Sequence, residues 1–412
     1  MATTRLTHFI LLGLALGGLA GWIVHAHYPA SSAGFATHVG LLPTIFLRLI
    51  KMIIAPLVFS TLAVGIGRMT DVATVGRVGG KALAWFVFAS LVSLTLGLLL
   101  VNLLEPGRVL DLPRPAADAT SGVSAGAMTL AGFIEHTVPA SAIDAMARNE
   151  ILQIVVFSLF FGTAMAALGE RSRTVVDVLD AVAHIMLRVT SYVMMFAPLA
   201  VFGAIAGTIA SRGLGILGVY GLFVVEFYGG LVLLWVLLLG FATVVVRGRV
   251  LRLVRRIREP LLIAFSTASS EAAYPKTLEE LERFGCSNRV ASFVLPMGYS
   301  FNLDGSMMYC TFAVMFIAQV YDVPLSAAQQ VTMLAILMLT SKGIAGVPRA
   351  SLVVIAATLA QFDIPEAGLL LLLGIDHFLD MGRSATNVVG NSVATVLVSH
   401  WEGELRGDPP HG

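Results

Sequence analysis

Apolar runs long enough to cross a hydrocarbon core of roughly 30 Å, about 20 residues as a helix, recur through the first 250 positions. Residues 9–26, 82–104 and 151–169 contain no Asp, Glu, Lys or Arg. Segments 40–67, 179–210 and 215–246 are nearly as apolar, interrupted by isolated charges such as Lys51, Arg188 and Glu226. The pattern predicts six spans before residue 250. Arg5 ahead of the first run, with Val24-His25-Ala26 behind it, also weakly fits a cleaved signal peptide, but a carrier's first span has the same look and no soluble domain follows.

Lys and Arg accumulate in cytoplasmic loops. Arg5, Arg68, Arg77, Lys81, Arg171 and Arg173 fall on one side of the predicted spans, and the segment 247–258 adds Arg247, Arg249, Arg252, Arg255, Arg256 and Arg258. The opposite connections are poor in basic residues: 28–39 has none, and 105–140 has Arg108 and Arg114 against several acids. This asymmetry places both termini on the cytoplasmic side of the cell's inner membrane, with the chain crossing it repeatedly.

After residue 258 the runs shorten and are broken by Ser, Gly and Pro. Phe265-Ser266-Thr267-Ala268-Ser269-Ser270-Glu271-Ala272-Ala273-Tyr274-Pro275 and Thr340-Ser341-Lys342-Gly343-Ile344-Ala345-Gly346-Val347-Pro348 are small-residue strings ending in proline between apolar flanks. Proline removes a backbone donor and glycine costs about 1 kcal/mol against alanine in a helix, so neither string continues a spanning helix. Each suits a hairpin that enters the membrane and leaves by the same face. Broken backbone at that depth is tolerated where it lines a cavity, and a pair of such segments points to a binding site near the midplane.

Between the hairpins, the apolar stretch 290–320 carries Asn302-Leu303-Asp304-Gly305-Ser306, a turn signature inside a span. Freed carbonyls and the Asp304 carboxylate would make an oxygen-rich place for a hard cation or a proton. In the last span, Asp376, Asp380, Arg383, Asn387 and Asn391 are spaced by four, three, four and four, one polar stripe at 3.6 residues per turn. A charge at membrane depth costs about 2.5–3.5 kcal/mol on insertion scales, so this stripe must meet a partner, a cavity or a ligand. An internal Asp–Arg pair between helices would account for part of it. An arginine's planar fork suits a carboxylate and a nearby aspartate suits an ammonium, so Arg383 with Asp380 points to a solute bearing both, such as aspartate or glutamate.

Composition narrows the classes further. Of the 412 residues 57% are hydrophobic and 12% charged, and 26 Lys and Arg against 25 Asp and Glu leave no basic surplus for nucleic acid. Cys286 and Cys310 sit in apolar surroundings and read as packing residues. No cofactor is expected. An enzyme is disfavoured, because Ser270 and His377 lack a Gly-x-Ser-x-Gly context or His/Cys ligand spacing, and no phosphate loop is visible. A channel would line several helices with polar residues, whereas here they concentrate in the last 150 positions or so.

Ser269-Ser270-Glu271 with Pro275, Asn302 to Ser306, Gly343 to Pro348 and Asp376 to Asn391 resemble, in order, the four signature regions of the dicarboxylate/amino acid:cation symporter family, the glutamate transporter homologues. The resemblance covers nearly the whole chain. It implies an all-α membrane protein of eight transmembrane helices and two re-entrant hairpins, assembled as a homotrimer and working as an elevator. Residues 1–70 and 130–210 would be scaffold spans 1–2 and 4–5. Residues 80–104, 215–247, 290–320 and 366–402 would be transport-domain spans 3, 6, 7 and 8, with hairpins at 258–285 and 326–360.

By the same resemblance Arg383 would hold a side-chain carboxylate, Asp380 the substrate amine, and Asn387 with Ser306 the main carboxylate. Ser270, Val347 and Ser384 would complete the pocket, and Gly343, Gly346 and Pro348 would belong to the gate. Arg349, also placed at the gate, departs from the family, where this position is commonly small or uncharged, and either reaches solvent or contacts a substrate carboxylate, solvent being the favoured reading. Asn302, Asp304, Asp376, Asn391, Glu271 and Ser90 would serve the coupling ion, with a candidate sodium site at Asn302, Asp304, Asp376 and Asn387. His377 reads as a packing residue.

Departures bear on that ion. Sodium-coupled relatives usually present a methionine where Leu303 stands and an aspartate where Asn391 stands, and their Tyr-x-x-Thr-Ser group appears as Phe86-Val87-Phe88-Ala89-Ser90. A hard cation wants full oxygen coordination. The losses favour a proton over sodium, with Glu271, Asp304, Asp376 or Asp380 as carrier, because burial favours the protonated form of a carboxyl. For the substrate, Ser-Ser-Glu, Asn-Leu-Asp-Gly, Ser-Lys-Gly and Val-Val-Gly-Asn resemble the C4-dicarboxylate branch, while Leu-Asp-Met-Gly-Arg resembles the acidic amino acid branch. Asp380 would repel a ligand without an amine, so acidic amino acids are the expectation and C4-dicarboxylates the alternative.

Overall fold

A computed structural model describes residues 2–67, 72–109, 115, 134–135, 137–213, 215–341 and 350–406, and among them the secondary structure is helical. The first group of helices is α1 (Ala2–His27), α2 (Pro29–Val39), α3 (Leu41–Gly67), α7 (Ile151–Leu168), α8 (Arg173–Met194) and α9 (Ala197–Arg212), which pack chiefly on one another. Short α5 (Pro106–Val109) and α6 (Ala142–Arg148) lie in the connection after α4 (Val72–Leu104). Glycines at every fourth position of α1, Gly13, Gly17 and Gly21, let its backbone lie directly on Pro198, Phe202 and Ala206 of α9. The opposite face of α1 exposes Phe9, Leu12, Leu16, Leu19 and Trp22, as a lipid-facing helix does.

The segment 179–210, expected as one span, is two helices. Pro198 lies in the first turn of α9 and has no N–H to bond back into α8, so α8 ends at Met194 and the chain turns at Met195 and Phe196. The arginine-rich segment 247–258 is not a loop either. A short 3-10 turn at Arg247–Arg249 leads into α11 (Val250–Thr267), so the first hairpin begins at 250 rather than 258. Leu253 and Ile257 are buried on one side of α11 while Arg255 and Arg258 are exposed on the other, the amphipathic pattern of an interfacial start.

The second group is α4, α10 (Gly215–Val246), α11, α12 (Tyr274–Phe284), α13 (Asn288–Phe301), α14 (Asp304–Val320), α15 (Ala327–Thr340), α16 (Ala350–Gln361), α17 (Leu369–Leu373) and α18 (Asp376–Trp401). The central helix is α18, packed by α10, α11, α13 and α14, with α14 also against α4. The helix pairs α11–α12 and α15–α16 occupy the two segments where hairpins are expected. The predicted gate residues Gly343, Gly346, Pro348 and Arg349, and the predicted pocket residue Val347, lie outside the described residues.

Charge at the base of the first hairpin is neutralised inside it. Lys276 of α12 is buried and pairs with Glu280 at 3.2 Å, Glu279 at 2.9 Å and Glu259 of α11 at 3.8 Å. Buried ions of this kind hold a geometry because removing one strands the others. The two groups meet where α13 packs on α3 and α7, and where α11 reaches α9 and α1. Across that boundary Arg212 of α9 donates to the Gly374 carbonyl at 2.5 Å, just after α17.

Candidate functional site

The stripe on α18 points inward as its spacing requires. Asp376, Arg383, Asn387 and Asn391 are buried, and the Asp380 carboxylate is about a third exposed at 31%. Arg383 is the most constrained charge among them. Its Nε donates to Asp380 Oδ1 at 2.8 Å, and its Nη2 lies 3.3 Å from Asp376 Oδ1. Its guanidinium sits 4.3 Å above the centre of the Tyr309 ring, whose hydroxyl donates to the same Asp376 oxygen at 3.1 Å. Two carboxylates and a π face orient the plane of the guanidinium. Arg383 Nη1 is buried with no hydrogen-bond partner. An unmatched charged donor in a buried place is expensive, and an arriving carboxylate oxygen would satisfy it.

One turn further along, Asn387 faces the break between α13 and α14. Its Oδ1 accepts from the backbone amides of Gly305 at 2.9 Å and Ser306 at 3.4 Å, capping α14, while its Nδ2 donates to Ser306 Oγ at 3.3 Å. Gly305 packs against the backbone of Arg383 where no side chain would fit. The break therefore holds the Asn387 amide and Ser306 in register with Arg383. A narrow cleft beside them is lined by Leu303, Ser306, Met307, Cys310, Ser341, Ser351 and Val354, opening between α14 and the second hairpin.

A second polar cluster lies one more turn along. Asp304 is fully buried and accepts from Ser93 Oγ of α4 at 3.3 Å and from Asn302 Nδ2 at 3.0 Å. Asn302 Nδ2 also donates to Asn391 Oδ1 at 3.2 Å. Asn302 Oδ1 remains an acceptor without a donor, and Asn391 Nδ2 a donor without an acceptor. Gly390 makes the cluster compact, since a Cβ there would strike the Asp304 carboxylate. The free acceptor beside a buried carboxylate suits a cation or a proton.

These distances divide the candidate sodium set. Asn302 and Asp304 stand together, but Asp376 belongs to the Arg383 group through Tyr309, and the Asn387 oxygen is already taken by two amides. Asp376 and Asn387 are thus engaged elsewhere, and among the described residues no three His, Cys, Asp or Glu gather as metal ligands. Ser384 donates to Asp380 at 3.4 Å, inside the site. Ser270 is buried at the tip of the first hairpin with no hydrogen bond to the stripe, and Glu271 lies nearest in charge to Lys51 of α3 and Glu150. Ser90 is buried in α4 with Phe86 and Ala89, three residues from Ser93. His377 is half-buried on another face, its Nε2 without a partner.

Tyr309 and Ser93 were missed. Each sits in an apolar-looking run, and the only signal was helical spacing: Ser93 follows Ser90 by three residues, and Tyr309 follows Ser306 by three.

The chain is 43% identical over 366 residues to a protein named C4-dicarboxylate transport protein in Geobacter sp. (strain M21), covering 87% of this chain and 83% of that one. It is 42% identical over 392 residues to a protein of the same name in Burkholderia lata, covering 94% of this chain and 90% of the relative. A relative in Laribacter hongkongensis, again so named, is 42% identical over 369 residues, with 88% and 83% covered. With residues 6–401 matching as a whole, the helices, hairpins and polar stripe described above belong to a transporter with the glutamate transporter homologue fold, and the chain is a member of the sodium:dicarboxylate symporter family.

Proposed function

We propose that the protein carries four-carbon dicarboxylates inward across the membrane, one substrate carboxylate binding Arg383 and the other reaching Asn387 and Ser306. The observation that carries this reading is the unpaired Arg383 Nη1, a buried cationic donor beside a cleft. The names of the 42–43% identical relatives support the same substrate class. They favour the diacid over the acidic amino acid expected from Asp380.

A second reading, aspartate, rests on Asp380 itself. Its carboxylate is part-exposed while that of Asp376 is buried, so it is the acid a ligand's ammonium would meet. With Asp376 and Asp380 against one guanidinium, the site is already net negative, and a zwitterion adds less charge than a dianion. Counterflow into proteoliposomes separates the two. Succinate, fumarate or malate should exchange and aspartate should not; exchange by aspartate alone overturns the first reading. Under the aspartate reading, Asp380→Ser lowers the aspartate-to-succinate ratio by about tenfold, the effect of one lost charge-assisted bond.

The coupling ion we assign is a proton, bound at the Asp304 cluster, where Leu303, Asn391, Phe86 and Ala89 stand in place of the family's usual sodium ligands. Uptake should follow an inward pH gradient. Uptake driven by a sodium gradient and indifferent to pH would overturn this assignment. In the same reading the group α1–α3 with α7–α9 is the stationary scaffold of a trimer. The group around α18 moves as one body with both termini cytoplasmic, a division supported by the packing of each group on itself.

A further inference from the structure

A cavity of about 510 Å³ lies on the opposite side of α18 from the stripe, bounded by His8 and Leu11 of α1, Trp235 of α10, Arg258, Leu261, Leu262 and Phe265 of α11, and Ala385 of α18. In α1, His8 precedes Leu11; in α11, Arg258 precedes Leu261, Leu262 and Phe265. In α11 the lining therefore turns from basic at Arg258 to apolar within one turn. The basic end is the arginine-rich start of α11, with Arg252, Arg255 and Arg256 close by in sequence. Arg258 is exposed, and among the described residues it has no hydrogen-bond or ion-pair partner. Deeper in, the Trp235 ring is fixed by its Nε1 donating to Thr386 Oγ1 at 2.8 Å.

We propose that this cavity is a binding site for an anionic glycerophospholipid of the cytoplasmic leaflet, its phosphate at Arg258 and one acyl chain running past Leu261, Leu262 and Phe265 to Trp235. Apolar walls inside a bilayer take acyl chain at no cost in polar groups left unmatched. A basic mouth at the membrane surface selects an anionic headgroup, with basic pockets between helices being the known form of such sites. The cavity opens between α1 of the first helix group and α10, α11 and α18 of the second. A lipid there occupies the seam along which the two groups would slide.

The test uses the full chain with Trp22, Trp85 and Trp401 changed to Phe, leaving Trp235 as the sole indole, reconstituted with lipids brominated on the acyl chain. Brominated phosphatidylglycerol should quench Trp235 at several-fold lower mole fraction than brominated phosphatidylcholine. Arg258→Gln should weaken the phosphatidylglycerol response by about fivefold, the share of one arginine near an anionic surface, and Arg258→Lys should restore it. Equal quenching by the two lipids, quenching by neither, or a preference unchanged in Arg258→Gln would overturn the proposal. Native mass spectrometry of the unmodified chain gives a reading independent of the tryptophan changes. Phosphatidylglycerol retained by the parent and lost in Arg258→Gln supports the site, and equal retention by both overturns it.

Discussion

Two polar clusters lie along α18 and differ in what they lack. Around Arg383, two carboxylates and a tyrosine engage a guanidinium that still has an unused donor, Nη1. Around Asp304, a hydroxyl and an amide engage a carboxylate beside an unused acceptor, Asn302 Oδ1. The first place is short of a hydrogen-bond acceptor, and the second holds an acceptor, Asn302 Oδ1, and a donor, Asn391 Nδ2, that are both unmatched. In a low-dielectric interior each deficit is costly by itself, and filling both restores balance. The contrast gives symport a physical basis in unmatched groups a few turns apart.

The most severe way to break the contrast is at the donor. Arg383→Lys keeps the charge that Asp376 and Asp380 need but removes the planar fork, so the protein should fold while substrate affinity drops by about 3 kcal/mol, roughly 100-fold. Isothermal titration of the purified variant checks this, and unchanged affinity would remove Arg383 from the substrate site. Next comes the acceptor side. Asp304→Asn should leave counterflow running but cut gradient-driven accumulation roughly tenfold or more, the scale of a lost coupling between sites. Equal loss of both activities would instead mean that Asp304 only supports the fold.

The comparison can also be sharpened. Asn391→Asp adds a carboxylate where Asn302 and Asp304 already meet, and sodium should then stimulate uptake that, with the proton assigned as coupling ion, the parent is expected to perform without it. A variant still driven only by protons would show that the cluster's charge does not set ion choice. The smallest effect is expected outside the membrane, at the end of α18. Burial alone would raise the Glu402 carboxyl, but hydrogen bonds from Arg77 and Lys81 outweigh it and hold it below its ordinary value. Its stabilising contribution is therefore complete above the ordinary carboxylate range and lost as pH falls through the lowered value. Glu402→Gln should cost about 1 kcal/mol or less at neutral pH, because Arg77 is half exposed, and should flatten the acid side of a thermal-melt pH series.

Much of this was legible because helices impose a period. The spacing from Asp376 to Asn391 put five polar residues on one face, proline with small residues marked the hairpins, and Asn-x-Asp-Gly marked the break at Asn302. What the period could not give was which oxygen each residue spends and on whom. Asp376 and Asn387 have the right chemistry for a cation, yet Tyr309 with Arg383 claims the first and two backbone amides claim the second. Those partners come from other spans. The arginines before residue 258 misled for a different reason: basic residues tell which side of a membrane they face, but not whether the backbone carrying them is coiled.

The Asn387 amide is a single rigid plane with its oxygen on α14 and its nitrogen toward Ser306. Any solute that takes hold of this amide also tugs the first turn of α14, where Asp304 begins the helix that carries the other cluster. With the solute and the ion placed as proposed, occupancy at one end would be transmitted to the other without either guest touching its counterpart. Reciprocity then follows as a matter of thermodynamics: by whatever factor the ion tightens the hold on the solute, the solute tightens the hold on the ion.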